Sequence, residues 1–186
     1  MAQTSPRLQN GPMMKTLFRL LLGSVIAVFL TECLYTEPVF KEGFSKIDPD
    51  LNAVWVNDPK SGDPRKMELA VCASLDDDRY LLHYPASDKD GIYYEARLLK
   101  VGSRSVLQLR ELASLNEGLP AADAKRYTLL WIERDMKISS IRVRALDGEK
   151  LKDKGPLDVR KMLETSSTDW IGLFGDPMDF RRLNDQ

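Results

Sequence analysis

The sequence predicts an all-β domain: a small antiparallel up-and-down barrel of about eight strands, with one helix before the last strand and an N-terminal signal helix in front. Three observations predict it. From Leu51 onward apolar and polar residues alternate with period two, the mark of strands with one covered face. Turn-forming clusters interrupt that alternation at short intervals. One segment alone, 156–164, changes to a helical period. Short connections favour a meander, and closing the meander hides its edges. A two-sheet sandwich is the alternative architecture.

Residues 51–57, "LNAVWVN", form the first strand. In 66–73, "KMELAVCA", Met67, Leu69, Val71 and Ala73 share the face expected to point inward, opposite Lys66 and Glu68. The acidic turn Asp76-Asp77-Asp78 follows, and "RYLLHY", 79–84, aligns Tyr80, Leu82 and Tyr84. After "PASDKDG" the strand "IYYEARLLKV", 92–101, sets Tyr94, Ala96 and Leu98 against Glu95 and Arg97. Gly102-Ser103 then turns the chain into "SVLQLRE", 105–111. The connection 112–125 is long enough for a helical turn. "RYTLLWIER", 126–134, is apolar on both faces, as expected of a well-covered strand. "KISSIRVRAL", 137–146, opposes Ile141, Val143 and Ala145 to Arg142 and Arg144. Pro156 suits a first helical turn, and Val159, Met162 and Leu163 lie on one side of the helix it opens. "PMDFRRL", 177–183, closes the domain with Met178, Phe180 and Arg182 in phase.

Ahead of the barrel stands an apolar run, Leu20 to Thr31, of twelve residues. A helix of that length covers about 18 Å, short of the about 30 Å of a hydrocarbon core. Lys15 and Arg19 precede it without an acidic residue, a secretory signal pattern. Leu30-Thr31-Glu32-Cys33 resembles the lipobox of bacterial lipoproteins, with leucine three positions before the cysteine and Glu32 standing where that family carries a small residue. The resemblance implies a diacylglycerol on Cys33, which becomes the mature N-terminus, and Leu34 after it leans toward the outer membrane. Ordinary cleavage nearby and an uncleaved signal-anchor are the other readings. All three export the rest of the chain. The expected division is a signal peptide over 1–32, a linker over 33–50 marked by Pro38, Gly43 and Pro49, and the barrel over 51–186.

Without the first 32 residues the chain keeps 24 basic and 27 acidic residues, nearly balanced and interspersed, so no basic field exists to hold nucleic acid. Cys33 and Cys72 are the only cysteines, and Cys72 is expected as a small buried strand residue. His83, the sole histidine, opposes Tyr80, Leu82 and Tyr84 in parity and is expected on the surface or rim. One histidine and one spare thiol are too few for a zinc site. Adjacent acids diverge, so Asp76, Asp77 and Asp78 are read as a solvated turn. "DKDG", 88–91, lacks the distal glutamate of a calcium loop and is also read as a turn. Arg142 and Arg144 are expected to face water beside acidic neighbours.

Ala53-Val54-Trp55 resembles the G-x-W signature of the lipocalin-like (calycin) barrels, with alanine in place of glycine. Those families close with a strand whose arginine lies over the tryptophan, and "DPMDFRRL" supplies Arg182. The resemblance implies a barrel over 51–183. Trp55, Tyr80, Tyr84, Tyr94 and Phe180 point toward one interior that could hold a ligand, and Trp55, Tyr80, Tyr84, Tyr94 and Arg182 are the ligand-binding candidates. Two functions follow. One is a non-enzymatic, lipid-anchored envelope protein that binds a small hydrophobic or amphipathic ligand in its barrel. The other is a filled barrel serving as a structural or protein-interaction module of the envelope. The many bulky inward residues favour a filled interior. No cofactor or metal is expected, and no constellation supports an enzyme.

Overall fold

The computed structural model describes residues 33–57, 67–86, 90–135, 139–165 and 169–183. The predicted leader, 1–32, lies outside them. Eight antiparallel strands form one closed barrel in sequence order: β1 (Ala53–Asn57), β2 (Glu68–Ser74), β3 (Tyr80–Tyr84), β4 (Ile92–Val101), β5 (Arg104–Ser114), β6 (Tyr127–Asp135), β7 (Ser140–Ala145) and β8 (Met178–Arg182). Two helices, α1 (Gly148–Leu151) and α2 (Pro156–Thr165), occupy the β7–β8 connection. The meander is the one the alternation predicts, and the sandwich alternative is excluded by the β1–β8 pairing that closes the sheet. The connection after β5 holds turns rather than a helical turn, because β5 runs on to Ser114 and Gly118 bridges back to it.

The registers fix which side chains share the interior. Trp55 pairs with Ala70 and Arg182, Cys72 with Leu82, Tyr80 with Ala96, and Leu98 with Leu107. The row continues through Leu130, Ile132, Val143 and Phe180. In β2 this reverses the sequence expectation: Ala70 and Cys72 are buried inside, while Leu69 and Val71 lie half-buried on the outer face. The reason is volume. A narrow barrel that seats an indole at Trp55 and a phenol at Tyr80 requires small partners beside them, and Ala70 and Ala96 provide that room.

A second apolar layer lies outside the barrel. Leu99, Val101, Val106, Leu129 and Trp131 cluster with Leu146 and Leu151, with Val159 and Leu163 of α2, and with Trp170 and Phe174. Val159 and Leu163 are one helical turn apart, so a single face of α2 docks on the sheet. Trp131, Trp170 and Phe174 pack with ring centroids 5.6–5.8 Å apart. This layer explains why β6 is apolar on both faces.

Residues 33–50, the expected linker, pack against the sheet. Tyr35, Val39 and Phe40 are buried in the outer layer, and Tyr35 bridges Tyr127 at the start of β6. Gln108, 5% exposed on the outer face of β5, donates to the Phe40 carbonyl at 3.0 Å and accepts from its N–H at 2.8 Å. The segment lacks periodicity because it folds as irregular chain against a sheet, with one side-chain amide satisfying both polar groups of a buried residue.

Gln108→Leu leaves both Phe40 groups unpaired and is expected to destabilise the fold by roughly 2 to 5 kcal/mol in urea unfolding. A loss below about 0.5 kcal/mol, the range of ordinary surface changes, would show that those groups reach water instead.

Candidate functional site

The end of the barrel where β1 begins is closed by a short turn. Asp48 caps a 3-10 turn, Pro49–Leu51, by accepting from the Asp50 N–H, and the turn buries Leu51. Four side chains fasten it. The Trp55 indole donates to the Leu51 carbonyl at 3.1 Å, and the Arg182 guanidinium donates to the Asn52 and Asp50 carbonyls at 3.2 and 3.4 Å. The Asp48 N–H donates to the Tyr80 hydroxyl at 2.5 Å, and Arg134 pairs with the Asp48 carboxylate at 2.6 Å. The Arg182 guanidinium carbon lies 6.0 Å from the Trp55 ring centroid, as the first and last strands pair. A cleft of about 100 Å³ remains between Leu51, Trp55, Ile141 and Arg182.

All five candidate ligand residues share the inner face. Trp55 and Arg182 belong to the plug. Tyr80 and Ala96 are 0% exposed, and Tyr94 and Leu109 are 1% exposed, so no water-sized void adjoins them. Tyr84 stands toward the opposite end, 4% exposed, edge-on to Phe180 at 6.0 Å, with its hydroxyl on the Glu68 carboxylate. Burial pushes the Tyr84 and Tyr94 phenols up, and the nearby Glu68 and Glu111 carboxylates push the same way.

The end opposite the plug carries polar groups that the sequence reading missed. Glu68 and Asn57 pair across β1 and β2 beside Tyr84. Glu111 pairs with Tyr94 on the inner face, and the Cys33 thiol hydrogen-bonds to its carboxylate. Glu111 follows Leu107 and Leu109 at period two, and that parity is the signal that finds it. Glu68 was hidden because the larger apolar residues of β2 suggested the opposite face. Cys33 is 9% exposed, and burial next to Glu111 pushes its thiol up to about 12. Cys72 is likewise pushed up to about 12 by burial, and both cysteines are unpaired. Thiols held that far above neutrality are poor nucleophiles.

The remaining sequence candidates lie outside the barrel. His83 stacks on its cross-strand neighbour Tyr93, ring centroids 4.1 Å apart and 10° from parallel. Asp76 and Asp78 pair separately with Arg79 and Arg97. Arg142 pairs with Asp179 at 2.8 Å and Arg144 with Glu133 at 3.8 Å. Among the described residues no group of three or more histidine, cysteine or acidic side chains is placed to hold a metal ion, and no helix is long and apolar enough to cross a membrane. Comparison of the chain with known protein families, curated proteins and solved structures finds no match.

Burial raises the Glu111 carboxyl in the folded state, so the native barrel holds a proton that the unfolded chain releases. Its contribution to stability is whole below the ordinary glutamate value of 4.5 and fades as pH climbs through the raised one. The urea midpoint of wild type is therefore expected to decline as pH rises above 4.5, and Glu111→Gln to flatten that decline. Equal slopes in the two proteins would contradict the burial of a titrating carboxyl at this position.

Proposed function

We propose that this chain is a non-enzymatic, membrane-tethered barrel of the cell envelope, lipocalin-like in architecture, whose interior is a structural core and whose outer surface does the work. The observation that carries this reading is the exposure of the candidate pocket residues: Tyr80 at 0% and Tyr94 at 1% fill the space a ligand would take. A ligand pocket of the usual kind encloses a few hundred Å³. Here the phenols are committed to the protein's own groups, Tyr80 to Asp48 and Tyr84 to Glu68.

The lipocalin-like reading is supported by the meander topology and by Arg182 lying over Trp55 across the closing seam. The tether is supported by the leader: a basic start, an apolar run and Cys33 in lipobox register. The thiol donates to Glu111, and a diacylglycerol thioether on Cys33 takes that donor away. An uncleaved apolar run is the other route, and both fasten the domain at the same place. The non-enzymatic reading is supported by His83, the sole histidine, standing on the outer face against Tyr93. The outward Leu69 and Val71 of β2 supply apolar surface on that side of the barrel.

The test is titration of the purified protein with a long-chain fatty acid, followed by the Tyr94 ring resonances. The expected result is no saturable one-to-one uptake and no movement of those resonances. Stoichiometric uptake that shifts Tyr94 would overturn the structural-core reading and restore the barrel as a ligand carrier.

A further inference from the structure

The segment between tether and barrel is folded onto the barrel rather than loose. The Leu34 and Tyr35 N–H groups both donate to the Tyr127 carbonyl, at 2.8 and 3.1 Å, and Arg126 and Tyr127 donate back to the Tyr35 carbonyl. The backbone is thus fastened to the barrel from Leu34 onward. Leu34 stands three positions after Thr31, the end of the apolar run, and extended chain spans about 3.5 Å per residue, so the reach is about 10 Å. A lipid on Cys33 leaves less. Either anchor joins the chain at the end of the barrel opposite the Trp55–Arg182 plug.

The loop at that end, 115–126, is built to present an apolar tip. Leu119 is 83% exposed and Leu115 52%. Gly118, at φ +75°, takes a backbone conformation that L side chains rarely adopt and exchanges two hydrogen bonds with Ser114. Arg126 donates to the Pro120 and Ala121 carbonyls at 3.1 and 2.7 Å, bracing the far side of the tip. The Leu115 N–H donates to the Gly91 carbonyl at 3.0 Å, tying the loop to the neighbouring turn. Leu119 is therefore an exposed leucine on a braced loop, at the end of the barrel where the chain enters the fold. Glu117 and Asp123 balance Lys125 and Arg126, so the loop carries no net charge.

We propose that Leu119, with Leu115, inserts into the outer part of the lipid bilayer, so that the open end of the barrel faces the membrane and the plugged end faces away. This rests on the tethered reading above. The occupant of the tip is a lipid surface, because an anchor joined to this end through about 10 Å of chain keeps the projecting leucine within reach of the acyl boundary. The neutral loop makes insertion independent of anionic lipid.

The experiment uses the full chain reconstituted in phosphatidylcholine vesicles, with an environment-sensitive fluorophore at Leu119→Cys or, in the turn at the plugged end, at Ser103→Cys. Both sites are exposed and both native thiols are buried, so the introduced cysteine takes the label. The expected result is that acyl-brominated phosphatidylcholine quenches the Leu119 label while aqueous iodide quenches the Ser103 label. Vesicle-bound protein whose Leu119 label answers to iodide and not to bromine overturns the insertion and leaves the tether standing. Protein that stays out of the vesicles altogether overturns the tether, and the insertion with it.

Discussion

Eight strands make a barrel only when the first and last pair, and here that seam is three residue pairs long: Trp55 with Arg182, Val56 with Arg181, Asn57 with Phe180. Left open, it would expose two sheet edges and wet the aromatic interior. So short a ladder needs help from side chains. Arg182 supplies it twice, by lying over the Trp55 ring and by donating to the carbonyls of Asp50 and Asn52. The Leu183 N–H adds a bond to the Val54 carbonyl just beyond the strand. Plug and seam are thus one construction, and the dry interior depends on both.

Inside that closure, large groups meet small ones. Ala70 lies beside Trp55, and Ala96 beside Tyr80. The polar atoms that remain are sorted by end. At the plug they bind the turn 48–52, and at the mouth Glu68, Tyr84, Glu111 and Cys33 satisfy one another. The outer surface is equally uneven. Helix α2, Trp170, Phe174 and the 34–44 segment cover one side of the sheet, whereas Leu69 and Val71 stand half-buried on another. An eight-stranded barrel barely accommodates its own side chains, so selective surfaces develop outside it.

The barrel, its strand order and the helix before β8 were legible in the sequence because alternation and turn chemistry are local. Alternation alone gives strand β4 its observed bounds, since Tyr94, Ala96 and Leu98 alternate cleanly with Glu95 and Arg97. The pairing of Trp55 with Arg182 was legible from their motifs. The face of β2 was not. Alternation reports which residues lie together, and the assumption that the larger apolar set points inward fails where a neighbouring indole needs Ala70's small volume. The packing of residues 33–50 was also hidden, because Gln108 reaches Phe40 across 68 positions and leaves no local signature. The aromatic candidates were placed on the correct face, but their exposure depends on how tightly eight strands close, which a one-dimensional pattern does not carry.

Closure of the β1–β8 seam is tested most directly by backbone nuclear Overhauser effects in the isotopically labelled protein. A closed seam gives cross-strand contacts between Trp55 and Arg182 and between Asn57 and Phe180, as strong as those linking Trp55 to Ala70. Intact contacts between β1 and β2 with none between β1 and β8 would mean an open sheet, and the plugged, filled barrel would be wrong.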